Sequence, residues 1–218
     1  MKIITFLMAL LLPISALAGS YENMEAALIR RESPVVIDLI KRGLDVNTVD
    51  REGNTLLVQS VRQDMPELFE YLITNRAHLN TRNKNGETAL SIAAFSGEFP
   101  YVKRLVEAGA EVNFYGWAPL AYAAYNGHAE IVAYLIKHGA EVDAMTENGS
   151  TALFFAARFG HEAVVDTLLE NKADPTITNE RDETAVDWAV KSGNTSIEDK
   201  LRAAGGRSGK SVQIELSK

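Results

Sequence analysis

The sequence contains no cysteine, which excludes disulfides, thiolate nucleophiles and cysteine-ligated zinc or iron–sulfur centres. It carries only 4 histidines, without zinc-ligand spacing. A G-x-S-x-G nucleophile turn is absent, and so is a glycine-rich phosphate loop leading into a helix. Positive charge is also in short supply, with 22 Lys and Arg against 29 Asp and Glu for a net charge of −7. Nucleic acids and anionic lipid surfaces need a basic footprint, so this balance disfavours both and favours a basic or neutral protein partner. Beyond residue 12 no apolar run approaches the roughly 20 residues that a membrane span requires. No cofactor, metal site or catalytic residue is expected.

The one long apolar run, 3–12, follows Lys2 and ends at Pro13 and Ala16-Leu17-Ala18, a small-residue site of the A-x-A type. This pattern predicts a secretory signal over 1–18, cleaved after Ala18. An uncleaved anchor is the rival reading, and the run is short for it. Removing Lys2 with the signal takes the charge from −7 to −8. A short signal with an Ala-Leu-Ala site suits a bacterial periplasm or secretion, with no membrane attachment after cleavage.

What the rest of the chain has is repetition. Gly53-Asn54-Thr55-Leu56-Leu57 returns as Gly86-Glu87-Thr88-Ala89-Leu90, Gly116-Trp117-Ala118-Pro119-Leu120, Gly149-Ser150-Thr151-Ala152-Leu153 and, degenerately, Asp182-Glu183-Thr184-Ala185-Val186. The turn glycines step by 33 residues, except from Gly86 to Gly116, where the step is 30. Each unit has helical rather than strand periodicity. An alanine-rich first helix, as in Leu120-Ala121-Tyr122-Ala123-Ala124, precedes a second helix with a large apolar ridge. The ridges are Val36/Leu39/Ile40, Phe69/Leu72/Ile73, Val102/Leu105/Val106, Val132/Leu135/Ile136 and Val165/Leu168/Leu169. Gly43, Gly109 and Gly139 supply left-handed stops, and Arg76 and Lys172 at the same place imply strained ones. A fixed period in the thirties means a solenoid whose units bury one another and expose one shared face.

The segment Gly149-Ser150-Thr151-Ala152-Leu153-Phe154-Phe155-Ala156-Ala157-Arg158-Phe159-Gly160-His161, with Gly139-Ala140-Glu141-Val142-Asp143, resembles the ankyrin repeat. The resemblance covers 21–206. It implies an all-α ankyrin-repeat solenoid of about six helix-turn-helix repeats joined by short β-hairpin-like loops, capped at both ends. Ser33-Pro34 reads as the N-cap and first-turn proline of the opening unit. Glu198, Leu201 and Arg202 make the last ridge more polar, and 207–218 reads as a flexible C-terminal tail. Val58, Ser91, Ala121, Phe154 and Asp187 stand where the family usually has a hydrogen-bonding histidine, which implies lower stability. His128 and His161 recur 33 residues apart at helix starts and read as structural. Asp45, Glu111, Glu141 and Asp174 recur at one repeat position, as architectural residues do.

Two signals mark a candidate partner-binding face. The loop missing three residues reads Phe114-Tyr115-Gly116-Trp117, and aromatics at a hairpin tip are unusual. They either fill the gap left by the deletion or anchor a partner. The residues after each Ala-Ala pair face the groove in the family. They read Arg62, Phe95, Tyr125, Arg158 and Lys191, followed by Gln63, Ser96, Asn126, Phe159 and Ser192. This row is either a contact stripe or is covered by neighbouring hairpins. The candidate partner-binding residues are Arg62, Phe95, Tyr115, Trp117, Tyr125, Arg158 and Phe159. Small periplasmic members that resemble this chain imply a non-catalytic protein-binding module, monomeric when unbound. Three roles fit: an immunity or inhibitor protein that blocks a toxin or enzyme, an accessory to an oxidative-stress enzyme such as catalase, or a secreted host-directed effector.

Overall fold

The structure is a computed structural model and describes residues 14–209. Residues 1–13 of the expected signal and 210–218 of the expected tail lie outside the described residues. Twelve helices in the described part form six pairs: α1 (Ile14–Ile29) with α2 (Ser33–Lys41), α3 (Leu56–Arg62) with α4 (Pro66–Thr74), and α5 (Ala89–Ser96) with α6 (Phe99–Glu107). There follow α7 (Pro119–Tyr125) with α8 (Ala129–Lys137), α9 (Ala152–Phe159) with α10 (Glu162–Glu170), and α11 (Ala185–Lys191) with α12 (Thr195–Ala203). The first helices α3, α5, α7, α9 and α11 pack in series as one layer, while α6, α8, α10 and α12 stack as a second. None of these helices is long and apolar enough to cross a membrane.

Small residues explain the close approach within the first layer. Ala89, Ala93, Ala94, Ala123, Ala124, Ala156, Ala157 and Ala189 are all buried, where larger side chains would force the helices apart. The second layer is keyed by the ridges: Val36, Phe69, Leu72, Val102, Leu105, Val132, Leu135, Val165 and Leu168 are buried in one continuous core. Each buried ridge leucine contributes roughly 2 kcal/mol through water exclusion. In the last unit Leu201 is still buried, whereas Glu198 stays partly exposed and pairs with Arg202 at 2.8 Å. The outer end of the stack is therefore solvated, as a terminal repeat requires.

Threonine sets where most first helices begin. Thr55, Thr88, Thr151 and Thr184 adopt extended backbone, and each hydroxyl accepts the amide three residues on. At α7 the cap is Ala118, and Pro119 starts the helix without a threonine. The opening unit differs from expectation: its cap is Glu32, and Ser33 and Pro34 lie inside the first turn. Left-handed backbone at Arg76 (φ 59°) and Lys172 (φ 66°) confirms that these side chains sit where glycine serves the other units.

Hydrogen bonds carry register from one unit to the next. The Asn47, Asn80 and Asn113 side-chain carbonyls and an Asp143 carboxylate oxygen accept the amides of His78, Glu111, Glu141 and Asp174. His128 and His161 cap second helices and reach back to the carbonyls of Phe95 (3.0 Å) and Tyr125 (2.9 Å), which accounts for their recurrence. The loops are hairpin-like only in outline, with Val49 and Thr55 forming the single β-bridge among the described residues. Their tips still join, Lys84 N–H to the Glu52 carbonyl and Glu180 N–H to the Asn148 carbonyl, both at 3.0 Å. Among the described residues the shortened loop makes no such bond to either neighbour.

The first residues of the expected free tail are held in place. Thr184 Oγ1 donates to the Arg207 carbonyl at 2.8 Å, and the Gly209 amide donates to Asp187 Oδ2 at 2.8 Å. Linker composition alone gave no hint of this, because the contact is made through backbone groups that every residue has.

Candidate functional site

One repeat position of the first helices is filled by Gln59, Ile92, Tyr122, Phe155 and Trp188, of which Ile92 and Phe155 are buried and the others half-buried. In the last three units that position is aromatic. Trp117, carried in by the shortened loop, stacks on Phe155 with centroids 4.6 Å apart and lies 5.2 Å from Tyr122. Tyr125 bridges outward, 6.2 Å from Phe95, 5.8 Å from Trp117 and 4.4 Å from Phe159. Phe154, behind Phe155, touches Trp188 at 5.8 Å. The result is an aromatic belt across α5, α7, α9 and α11, packed separately from the main core.

Five of the sequence-derived candidates meet in this belt: Phe95, Trp117, Tyr125, Arg158 and Phe159. Phe95 and Phe159 are each 40% exposed, while Trp117 and Tyr125 are half-buried by their ring neighbours. Arg158 lies over Trp188 at 4.3 Å and over Phe159 at 5.2 Å, closing the belt at its C-terminal end. Arg62 stands at the other end, its guanidinium bonded to Glu87 Oε2 at 2.6 Å. Tyr115 is apart from the rings and 78% exposed, beside a hollow of about 440 Å³ lined by Asn113, Phe114, Glu141, Ala144 and Met145. Phe114 is covered by Arg82 at 4.1 Å. The three loop aromatics thus divide: Phe114 and Trp117 fill space, and Tyr115 projects.

Tyr122, Phe155 and Trp188 escaped the sequence reading, which followed the residues after each Ala-Ala pair. The signal was present three positions earlier, as aromatics at one repeat position in three consecutive units.

The belt's electrostatics are local. Burial, and after it the charges of Glu87 and Glu147, push the Tyr122 phenol up to about 12, against a smaller opposing effect of Arg62. Glu183 is nearly buried, and burial opposes its charge. Hydrogen bonds from Lys191 (2.6 Å), Asn179 (3.1 Å) and the Trp188 indole (3.1 Å) outweigh that and hold its carboxyl below the usual range. Glu147 is exposed and lies across Gly116, where a Cβ would overlap its Oε1. Such a surface is suited to recognition, since rings of low conformational freedom dominate binding energy.

Comparison with known proteins agrees with this architecture. The family description "Ankyrin repeats (3 copies)" matches residues 24–115, 113–179 and 144–205. Among curated proteins the chain is similar to the nuclear factor NF-kappa-B p105 subunit of Rattus norvegicus, 34% identical over 93 residues, 41% of this chain and 10% of that protein. It is also similar to the B-cell lymphoma 3 protein homolog of Mus musculus, 31% identical over 77 residues, 35% of this chain and 17% of that protein. Alpha-latrotoxin-Lg1a of Latrodectus geometricus is 32% identical over 99 residues, 44% of this chain and 7% of that protein. The matched segments span no more than 17% of the length of these relatives. The stacked helix pairs, the recurring caps and the family match together show that the chain belongs to the ankyrin-repeat family, whose repeats form a protein–protein interaction module.

Proposed function

We propose that this chain is a non-catalytic binding protein of the bacterial periplasm that occludes a basic protein partner, in the manner of an immunity or inhibitor protein, with the aromatic belt as its contact surface. The observation that carries this is the belt itself. Eight rings from four consecutive first helices and one loop lie side by side, with Phe95 and Phe159 turned to solvent and Tyr115 exposed on the same loop as Trp117. A rigid stack presents them without a large ordering cost, and a net charge of −7 steers basic partners toward the molecule. The chain is monomeric when unbound in this reading.

The N-terminal pattern supports the location. Cleavage after Ala18 would shorten α1 yet retain Met24, Ala27 and Leu28, its residues in the core. Edman sequencing of protein from a periplasmic extract should then begin at Gly19, and a start at Met1 in a membrane fraction would contradict the location.

The experiment for function is capture from that extract with wild-type protein and with Tyr115→Ala/Phe159→Ala, followed by assay of the captured protein's own activity. A partner that binds wild type, loses at least tenfold in affinity to the double variant and is inhibited stoichiometrically supports occlusion. A captured catalase or peroxidase whose activity is preserved or raised would replace this role with an accessory one.

A further inference from the structure

The belt contains two ring clusters, one around Trp188 with cations over it and one around Trp117 and Tyr122 without. At α11 the Trp188 ring is covered by Arg158 (4.3 Å) and Lys191 (5.1 Å), and Glu183 both accepts the indole N–H (3.1 Å) and pairs with Lys191 (2.6 Å). Ring, cation and carboxylate are all supplied by the chain. At α7 the rings are Trp117 and Tyr122, and the two repeat positions that hold Arg158 and Lys191 around Trp188 hold Phe95 and Tyr125 instead. No lysine or arginine among the described residues lies over Trp117, Tyr122, Tyr125 or Phe95. A carboxylate is nonetheless present: Glu147 from the next hairpin lies across Gly116, adjacent to Trp117, and makes no ion pair among the described residues. Glu87, on the other side, is already engaged by Arg62 and Asn83.

We propose that the Trp117–Tyr122–Tyr125 face with Glu147 is a recognition site for one arginine or lysine side chain projecting from the partner protein, which completes there the set that Trp188 completes within the chain. The inference rests on the binding role proposed above and assigns the partner's contact a chemistry. An exposed cation over an indole gains only modest energy by itself, and a carboxylate at the ring edge adds charge complementarity that a neutral side chain cannot use. Gly116 is required because any Cβ would displace the carboxylate, and its φ of +97° also disfavours side chains.

The test uses NMR of the 15N-labelled full chain titrated with acetyl-Gly-Arg-Gly-amide, and in parallel with the same peptide carrying citrulline, which keeps the shape and removes the charge. The Trp117 indole N–H should shift at least threefold further with the arginine peptide than with the citrulline peptide at equal concentration. Trp188, whose cations are in place, should stay still. Glu147→Gln should cut the Trp117 response at least threefold with the spectrum otherwise intact, and Glu180→Gln, one hairpin further on, should leave it unchanged. Equal shifts from both peptides, no shift at all, or a response indifferent to Glu147→Gln would overturn the proposal. If partner capture still depends on Tyr115 and Phe159 in that case, the binding role survives and only this assignment falls.

Discussion

Gly127 shows what a single position decides in this stack. Its φ of +80° belongs to the left-handed region, and a Cβ would meet the His161 ring at 2.6 Å, displacing the imidazole that bonds the Tyr125 carbonyl. Gly139 has a similar φ of +90° with open space around it. Gly139→Ala therefore bears only the backbone penalty, roughly 1 kcal/mol, whereas Gly127→Ala adds a lost interunit hydrogen bond, for about 2 kcal/mol in all. Urea unfolding of both variants checks the difference, and equal losses would show that the His161 bond contributes nothing. Such positions were legible in the sequence, since glycine and histidine recur in phase. The belt was legible only in part. Phe95, Tyr125 and Phe159 follow each alanine pair and could be read off, but whether Trp117 projects or packs depends on Phe155, one unit further along. Ring stacking across units is a tertiary fact that a local pattern does not encode.

Among the elements, α11 carries the most unusual adaptation. Asp187 replaces the family histidine and is buried, with Oδ2 accepting the Thr184 amide (2.8 Å) and the Gly209 amide (2.8 Å). Through the two amides it caps its own helix and fastens the chain beyond α12, the Thr184 hydroxyl proton being given to Arg207. Ser91 performs the first of these tasks in α5, where its hydroxyl accepts the Thr88 amide. The missing histidine implied weaker units, and in these two units a reciprocal cap stands in its place. Asp187→Ala should cost about 2 kcal/mol, because the Thr184 and Gly209 amides lose their acceptor and are left unpaired. It should also release residues 207–209, so that hydrogen exchange at Gly209 rises to the rate of an open chain. Retained protection at Gly209 would mean that other contacts hold the segment. Composition could not announce this attachment, since it uses the Arg207 carbonyl and the Gly209 amide, backbone groups that do not depend on side-chain identity.

For the molecule as a whole, the repeat period made the fold legible, because each ridge and each small-residue face recurs at one phase and only a series of stacked pairs buries them all. The pH response is a property of the whole stack. Asp50 and Glu183 are held below the usual carboxylate range: burial opposes their charge, but hydrogen bonds from Asn54 and Gln59 to Asp50, and from Lys191 and Asn179 to Glu183, prevail. Groups with lowered folded pKa stabilise above their unfolded value of about 4, and that contribution is lost as pH falls. Tyr122, raised by burial to about 12, contributes below its unfolded value of about 10, and its contribution disappears as pH climbs. Urea midpoints should therefore be highest between roughly pH 5 and 9 and fall on both sides, with Tyr122→Phe blunting the alkaline arm. A midpoint that rises between pH 5 and 3 would contradict this assignment. The most direct measurement of the central claim is a photocrosslinking scan in cells, with benzoylphenylalanine placed singly at Phe95, Tyr125 and Phe159 on the belt and at Lys103, Lys137 and Glu170 on the second helices. The expected result is one discrete protein adduct from all three belt positions and none from the second-helix positions; adducts from the second helices with none from the belt would contradict it.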